Sequence, residues 1–226
     1  MGAAGKHVAI LVHNYFEQAE FEEPMNALKD AGVAVTVISA DKKALRGMKH
    51  VELGDKFEAD LLLDQASAED YDALVLPGGA INADNLRVVE TAQRWAVDFM
   101  DAGKPLAVIC HAPWVLVSAG AAEGRRLTSY HTIRDDIVNA GGEWVNQPLV
   151  MDDSLITSRK PDDLPQFNEA LISLLDRSQA DKLSSVGSAV DRSRDEDDDD
   201  EDDDAEDVEE LRLSGVNIHD EKGDTY

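Results

Sequence analysis

Four short, almost uninterrupted apolar runs rich in β-branched residues constrain the fold of this chain more than any other feature. They are HVAILVH at 7–13, GVAVTVIS at 32–39, YDALVLPGG at 71–79 and KPLAVIC at 104–110. Runs of this kind are typical of strands that are covered on both faces, and amphipathic segments separate them here. The order strand, helix, strand therefore predicts an α/β fold with a parallel sheet.

The segments between and after these runs predict helices and one hairpin. Apolar side chains recur at helical spacing in residues 21–32, 84–103 and 164–177, and the first two segments end at a glycine, a common helix terminator. The sequence LVMDDSLITS places Asp152 and Asp153 between two apolar arms. This pattern predicts a hairpin at the edge of the sheet.

The composition changes sharply after residue 180. Residues 181–226 carry 19 acidic and five basic side chains, and residues 195–204 are ten consecutive acids. Because such a run can neither pack together nor pair locally, we predict an α/β domain at 1–180 and a disordered acidic tail at 181–226. A solubilising role is the simplest interpretation of the tail, and its segment VEELRLSGVNI has enough apolar residues to fold against a partner.

Charge and motif spacing argue against several classes of function. The formal net charge of −26 repels nucleic acid and anionic membranes, which proteins bind through clustered Lys and Arg. The apolar run near the N-terminus is too short for a signal peptide or a membrane span. Glycine-rich nucleotide motifs and His or Cys metal spacings are missing from the sequence, so we expect no cofactor and no metal. With one cysteine and no export signal, a reducing cytoplasm is the expected location.

The single cysteine, Cys110, lies where the run KPLAVIC ends, just before a helix predicted from about Pro113. Strand-to-helix turns at the carboxyl ends of parallel strands open into a crevice, and a residue in a sharp turn projects out of the sheet. The N-terminus of the following helix favours negative charge, so we expect the thiol pKa to fall from ~8.5 towards ~5–6. Most lone cysteines are buried packing residues, but this position, with His111 beside the thiol, favours catalysis.

Three other stretches bring polar groups to the same edge of the sheet. LPGGAINADNLR supplies Gly78 and Gly79, whose backbone could approach a ligand and donate N–H groups to an oxyanion, or simply form a turn. HNYFEQAEFEEP supplies Glu17 and Glu20, whose spacing also suits helix caps or solvated charges. LTSYHTIRDD supplies Tyr130, a candidate substrate contact. Each is ambiguous alone, and their convergence indicates an active site.

Together these segments resemble the PfpI family of intracellular cysteine peptidases and stress proteins, in the superfamily that includes the parkinsonism-associated protein deglycase. The resemblance covers about residues 6–176 and rests on AILVHNYFEQAEFEEP, DALVLPGGAINADNLR, GKPLAVICHAPWVLVSAG, GRRLTSYHTIRDDIVNAGGEWV and LITSRKPDDLPQF. It implies a flavodoxin-like three-layer sandwich with a mostly parallel central sheet, related to class I glutamine amidotransferases. It also implies a homo-oligomer, a dimer or a hexamer.

The resemblance further implies roles for individual residues. Cys110 falls at the nucleophile, His111 at the neighbouring base and Glu20 at the acid that hydrogen-bonds the thiol. The N–H groups of Gly79 and His111 would hold the oxyanion. Asp84 falls where the peptidase has a Glu that reaches the histidine from an adjacent subunit, although Asp is one methylene shorter. The active site is therefore expected near a subunit contact.

The resulting prediction is a cytoplasmic, stress-related cysteine hydrolase that acts on peptides or on glycated and glyoxal-derived adducts. The sequence does not rank these substrates. The alternative is a non-catalytic redox sensor or holdase in which Cys110 is oxidised beside Glu20. A sensor has no use for an imidazole next to the thiol, so His111 favours the enzyme. A glutamine amidotransferase would need a Gly-flanked Cys and a downstream His-x-Glu, and neither is present at these motifs.

Overall fold

The four apolar runs form the centre of a seven-stranded sheet in the computed structural model, which describes residues 2–191. In chain order the strands and helices are β1 (His7–Val12), β2 (Phe16–Glu17), α1 (Gln18–Asp30), β3 (Ala34–Ser39), β4 (Ala44–Lys49), β5 (Glu52–Glu58), β6 (Leu61–Leu62), β7 (Ala73–Leu76), α2 (Ala80–Leu86), α3 (Glu90–Asp101), β8 (Leu106–Ile109), α4 (Pro113–Ser118), β9 (Arg126–Leu127), α5 (Arg134–Asn139), β10 (Glu143–Trp144), β11 (Leu149–Asp152), β12 (Leu155–Ser158) and α6 (Leu164–Asp191).

The central sheet has the strand order β11-β12-β8-β7-β1-β3-β6. Every neighbouring pair is parallel except β11 and β12, which form an antiparallel hairpin at one edge. The turn of this hairpin contains Asp153 in the left-handed region, with φ of 54°. Both the parallel sheet and the edge hairpin predicted from the sequence are confirmed.

Two apolar cores lie on opposite faces of the sheet, because successive side chains of a strand point to opposite sides. Val8, Ile10 and Val12 of β1 pack into the core beneath α1 and α6. Ala9 and Leu11 of the same strand pack into the core beneath α3, α4 and α5. Burial of each large apolar side chain contributes about 1.5–3 kcal/mol to the free energy of folding. Because helices cover both faces of the sheet, the predicted three-layer α/β sandwich is confirmed.

The helix predicted over residues 84–103 is wrong in its extent, because the chain forms two helices there. α2 ends at Leu86 and α3 begins at Glu90. The side-chain amide of Gln93 donates to the backbone carbonyl of Arg87 at 2.7 Å, which satisfies an acceptor that a continuous helix would have paired internally. The intervening Val88 is 73% exposed. α2 itself begins directly after Gly79, at the carboxyl edge of the sheet.

A hairpin formed by β4 and β5, which the sequence did not predict, lies against the start of α1. Together with β2 it forms a second, three-stranded sheet. The buried side chain of Gln18 donates to Oδ2 of Asp55 at 2.6 Å and accepts the N–H of Asp55 at 2.8 Å. A side chain at Gly54 would collide with Oε1 of Gln18. These contacts place the tip of the hairpin beside the carboxyl edge of the central sheet.

The last helix, α6, packs its apolar face on the sheet and extends to Asp191. The predicted domain boundary at residue 180 stays a prediction, and most of the predicted acidic tail lies outside the described residues. Within residues 2–191, no helix is long and apolar enough to cross a membrane. The same part of the chain holds no cluster of three or more His, Cys, Asp or Glu side chains suited to a metal ion.

Candidate active site

Cys110 lies in a sharp turn directly after β8. Its φ is 64°, in the left-handed region that residues with side chains seldom adopt. The N–H of Cys110 donates to the carbonyl of Ser158 at 3.0 Å, and its carbonyl accepts the N–H of Tyr130 at 2.8 Å. These two bonds hold the strained turn and direct the thiol into a cleft. Such strain is common at functional sites.

The imidazole of His111 turns back towards the sulfur of the preceding residue. Its Nδ1 lies 3.1 Å from Sγ of Cys110, and its Nε2 lies 3.2 Å from Oγ1 of Thr132. Tyr130 stacks on the ring, with centroids 4.8 Å apart. Adjacent side chains normally point apart, so the left-handed turn is what allows this contact. The orientation that the predicted thiol–base pair requires is therefore present.

Partial burial lowers the pKa of His111, and the nearby charge of His131 lowers it further. The ring is consequently neutral at neutral pH. A neutral imidazole with a ring nitrogen next to the thiol can accept the thiol proton.

Glu20 lies in the first turn of α1, is fully buried and faces the same thiol. The N–H of Gly78 donates to its Oε2 at 2.9 Å, whereas Oε1 has no hydrogen-bond donor among the described residues. Burial, followed by the charge of Glu17, raises the pKa of Glu20 to about 8. A side-chain hydrogen bond with Cys110 lowers the pKa of Glu20 and so opposes part of this rise. The carboxyl group is therefore protonated at neutral pH.

The thiol pKa differs in direction from the sequence-based prediction. Burial, and then the charge of Glu20, raises the pKa of Cys110 well above its ordinary value. The N–H groups of Gly79 and His111 act in the opposite direction. The sequence predicted a low pKa from a helix N-terminus, but Cys110 is only 7% exposed and α4 has only six residues. The buried Cys110–Glu20 pair therefore tolerates at most one negative charge.

The two glycines after β7 are required by the packing around the thiol. A Cβ atom at Gly78 would lie 2.5 Å from both Cβ of Cys110 and Oε2 of Glu20. Gly79 has a φ of 87°, and a Cβ there would lie 2.6 Å from the backbone nitrogen of Glu17. Because neither position accepts a side chain, the backbone itself approaches the sulfur. The predicted oxyanion donors, the N–H groups of Gly79 and His111, thus lie beside it.

The thiol opens into a cleft of about 750 Å³. Its lining comes from the ends of several strands and from the tip of the β4–β5 hairpin, and comprises Tyr15, Glu17, Glu20, Met48, His50, Val51, Gly79, Ala80, Ile81, Cys110, His111, Tyr130, Lys160, Pro161 and Asp162. Among the described residues, four non-glycine residues have a positive φ, and Tyr15, His50 and Cys110 of this cleft are three of them. Backbone strain is therefore concentrated around the cleft.

The structure brings six of the seven predicted site residues together and leaves Asp84 apart. Cys110, His111, Glu20, Gly79 and Tyr130 line the cleft, and Gly78 packs against the thiol.

Asp84 is exposed on α2, and within residues 2–191 its side chain makes no hydrogen bond or ion pair. Its predicted contact requires a second copy of the chain, so it stays a prediction.

Sequence reasoning missed several side chains of the site, among them the polar Thr132, His50, Lys160 and Asp162. Thr132 could have been found, since it follows Tyr130 by two residues in a stretch already marked as polar. His50 and the Lys160–Asp162 pair carry no motif. They reach the cleft only because the hairpin and the loop after β12 fold over the sheet edge.

The chain is similar to known proteins over most of its length. The family model described as "DJ-1/PfpI family" matches residues 6–174. Deglycase PfpI of Pyrococcus furiosus is 39% identical over 168 residues, which cover 74% of this chain and 98% of that protein. General stress protein 18 of Bacillus subtilis is 38% identical over 175 residues, which cover 76% of this chain and 99% of that protein. The crystal structure of Drosophila melanogaster DJ-1beta is similar at a TM-score of 0.69 and 27% identity, over 80% of this chain and 96% of that one.

Proposed function

The chain belongs to the DJ-1/PfpI family, and from this premise we propose that it is a cysteine-dependent hydrolase whose nucleophile is Cys110. The observation that carries the proposal is the 3.1 Å contact between the sulfur and Nδ1 of His111. Deglycase activity on glyoxal-derived adducts is the favoured reaction, because a relative of 39% identity is named a deglycase. A role in the stress response is part of the proposal, since another relative is named a stress protein.

The first step transfers the thiol proton of Cys110 to Nδ1 of His111. The thiolate then attacks the carbonyl carbon of a peptide bond, or it displaces the heteroatom from the carbinol carbon of a glyoxal adduct. In the second case the resulting thiohemiacetal becomes a thioester when its carbinol proton moves to the neighbouring carbonyl carbon, an internal redox step that needs no external oxidant. The new oxyanion accepts hydrogen bonds from the N–H groups of Gly79 and His111. When the carbon–heteroatom bond breaks, the imidazolium of His111 returns its proton to the leaving group. Water then hydrolyses the thioester and releases a carboxylic acid and the free thiol.

Glu20 makes the first step possible because it is protonated before the reaction begins. With its pKa raised to about 8, the carboxyl group is neutral at pH 7 and can donate a hydrogen bond to the thiolate. An ionised Glu20 would instead repel the thiolate in a site from which water is largely excluded. The pair is therefore neutral before the reaction and carries a single negative charge, on the sulfur, once His111 has taken the thiol proton.

Assembly is a further part of the proposal. Asp84 lies three residues after Ile81, which lines the cleft, so both belong to the same face of α2. A second copy seated against α2 would bring the partner's corresponding acid towards His111, and the site would then lie near the subunit contact. A reducing cytoplasm, which we also propose, would keep the thiol free.

The central experiment compares the purified wild type with Cys110→Ser on methylglyoxal-modified amino-acid amides and on a fluorogenic peptide. We expect Cys110→Ser to keep the fold and to lose turnover. Retained turnover would exclude Cys110 as the nucleophile. Turnover of the peptide alone would assign a peptidase instead of a deglycase.

The redox-sensor alternative is tested by His111→Ala. An enzyme loses turnover in this variant, whereas a sensor keeps the oxidation of Cys110 by mild peroxide and has no turnover to lose. Mass spectrometry of the oxidised thiol, run beside the activity assay, separates the two.

A further inference from the structure

Residues 77–79 form a loop after β7, the glycine loop, which presents two backbone donors to the buried pair. The N–H of Gly78 donates to Oε2 of Glu20 at 2.9 Å, and the N–H of Gly79 donates to the thiol of Cys110. Neither glycine has a side chain that packing could hold, and a peptide between two glycines rotates with little steric resistance. The orientation of both donors must therefore be fixed from outside the loop.

Asn82, the third residue of α2, is 0% exposed and its side chain bonds three backbone groups. Its Nδ2 donates to the carbonyl of Pro77 at 2.8 Å and to the carbonyl of Gly78 at 3.0 Å. Its Oδ1 accepts the N–H of His13, the residue after β1, at 2.6 Å. The bond from His13 fixes which way the amide faces, because an N–H must meet the amide oxygen and the two carbonyls must meet the NH₂ group. Both N–H bonds of the Asn82 amide are therefore directed at the glycine loop.

The two carbonyls that Asn82 holds belong to the same peptide groups as the two donors. The peptide bonds of this segment are trans, and in a trans peptide the C=O and the N–H point in opposite directions. Holding the carbonyl of Pro77 therefore turns the N–H of Gly78 towards the buried carboxyl. Holding the carbonyl of Gly78 turns the N–H of Gly79 towards the sulfur. The carbonyl of Gly78 also accepts the N–H of Glu17 at 3.2 Å, which is a longer bond than either bond from Asn82.

We propose that Asn82 is a positioning residue of the active site, whose amide sets the two peptide planes of the glycine loop and so aims both donors at the Cys110–Glu20 pair. This inference rests on the proposed function, since the N–H of Gly79 is one of the two proposed oxyanion donors. Asn82 is not among the residues that line the cleft, and it acts through the backbone. Without its amide, the peptide between Gly78 and Gly79 can flip and present a carbonyl oxygen to the sulfur, which repels both the thiolate and the oxyanion.

The test replaces Asn82 by leucine in the full-length protein. Leucine keeps the branched shape of asparagine, makes no side-chain hydrogen bond and leaves no room for a water molecule that could replace the amide. In Asn82→Leu, kcat for the methylglyoxal adduct of N-acetylcysteinamide should fall about 10- to 100-fold, which is part of the cost of losing an oxyanion donor outright. KM should stay within about 2-fold of the wild-type value, because the oxyanion forms only in the transition state.

A second measurement, the rate of alkylation of Cys110 by iodoacetamide at pH 7, separates positioning from loose packing. The N–H of Gly79 lowers the pKa of Cys110, so its loss raises that pKa and leaves less thiolate. The second-order rate constant should fall about 10-fold in Asn82→Leu, because hydrogen bonds to charged groups are among the stronger ones. A merely structural role predicts the opposite, since loosened packing around a thiol that is 7% exposed would admit the reagent and raise the rate.

Two further variants are the controls. Asn14→Leu removes another buried asparagine, whose Oδ1 accepts the N–H of Arg46 at 2.7 Å and which, among the described residues, makes no hydrogen bond to the glycine loop. It should lower the Tm and leave the alkylation rate near the wild-type value. Asn82→Asp keeps an acceptor for the N–H of His13, and its buried carboxyl, protonated at neutral pH, offers one O–H donor in place of two N–H donors. Its kcat and alkylation rate should lie between those of the wild type and Asn82→Leu.

The outcomes separate the inference from the proposed function. Unchanged kcat in Asn82→Leu, unchanged or faster alkylation, or equally slowed alkylation in Asn14→Leu would each overturn the positioning role and leave the hydrolase standing. If the wild type turns over no substrate, the proposed function fails, and the alkylation rates still decide whether Asn82 aims the N–H of Gly79 at the sulfur. Should Asn82→Leu not fold, Asn82→Asp decides in its place, since alkylation at the wild-type rate in that variant would overturn the inference.

Discussion

The inner end of the cleft and its mouth are built on opposite physical principles. Around Cys110 the side chain of Glu20 is 0% exposed, and Gly78 has no room for a single methyl group. At the mouth of the cleft, Val51 at the tip of the β4–β5 hairpin is 91% exposed. Burial shifts the pKa values of Cys110 and Glu20 at the inner end, whereas water and salt screen the charges of Lys160 and Asp162 at the mouth. Substitutions should therefore have large effects inside and small effects outside.

Asp84→Asn is the prediction most able to break this comparison, because Asp84 is exposed and we nevertheless expect a large loss. If the partner's copy of this acid steadies the imidazolium of His111, activity should fall by about 10²–10⁴-fold while the oligomer persists. Steady-state kinetics together with light scattering measure both quantities.

A mixing experiment provides the control for Asp84. Inactive Cys110→Ser and inactive Asp84→Asn subunits are mixed and allowed to re-associate. Some contacts then pair an intact Cys110 with an intact Asp84, so part of the activity should return. Full activity of Asp84→Asn alone, or no recovery in mixed oligomers, would mean that the acid acts nowhere near the thiol and that the comparison holds without exception.

Gly78→Ala should have the next largest effect. The added methyl group would lie 2.5 Å from atoms of both Cys110 and Glu20, so the thiol and the carboxyl must move apart. We expect a loss of kcat of about 10²-fold and a destabilisation of about 1–3 kcal/mol, as for other overpacked sites. Gly103→Ala is the control: open space surrounds Gly103, and only its φ of 62° makes an alanine there strained. It should lose stability without losing activity, and equal kinetics of the two variants would contradict the close packing.

Glu20→Gln should lower activity and raise stability at the same time. Folded wild type keeps a proton on Glu20 up to about pH 8, whereas the unfolded chain releases it near pH 4.5. The wild type therefore loses stability as pH rises through this window, and the uncharged variant does not.

Thermal melts at several pH values should accordingly give equal Tm values at low pH and a higher Tm for Glu20→Gln above pH 8. The expected scale is about 2–4 °C per kcal/mol for a chain of this size. The exposed Glu23 on the same helix provides the control, since Glu23→Gln should leave the Tm difference unchanged with pH. A Tm difference that is independent of pH would show that Glu20 is not protonated in the folded state.

His131→Gln should have the smallest effect. It tests whether an exposed charge changes the pKa of a group at the buried inner end of the cleft. The charge of the exposed His131 lowers the pKa of His111, second to burial. Its removal should move the acid limb of kcat/KM slightly towards higher pH, because activity is lost as His111 becomes protonated. High salt should abolish the difference between variant and wild type. A shift that persists in high salt would show that His131 acts through structure and not through charge.

Much of the fold was predictable because local patterns determine it. The runs that became β1, β3, β7 and β8 are apolar on both faces, so their place in the middle of a sheet follows from composition. The β4–β5 hairpin was missed because its strands are polar on the exposed face and its turn has no motif. The helix break near Val88 was missed because it depends on a side-chain hydrogen bond from Gln93 to the chain before it.

Most residues around the thiol could be predicted from the sequence, but the directions of their pKa shifts could not. Glu20 reads in the sequence as a helix cap or a solvated charge, and only the packing of β7, β8 and α1 shows that it is fully buried. The same burial reverses the expected direction of the thiol pKa. A pKa depends on solvent exclusion and on charges from distant segments, and neither is encoded in local spacing.

The sequence by itself determined the α/β architecture, the position of Cys110 at the end of a strand and the glycines beside it, because periodicity and turn chemistry act over a few residues. The tertiary structure alone decided that His111 turns back to the sulfur, that Glu20 holds a proton and that Lys160 and Asp162 meet His50 at the mouth of the cleft. Each of these depends on contacts between segments far apart in the chain, and only folding brings those segments within a few ångströms of one another.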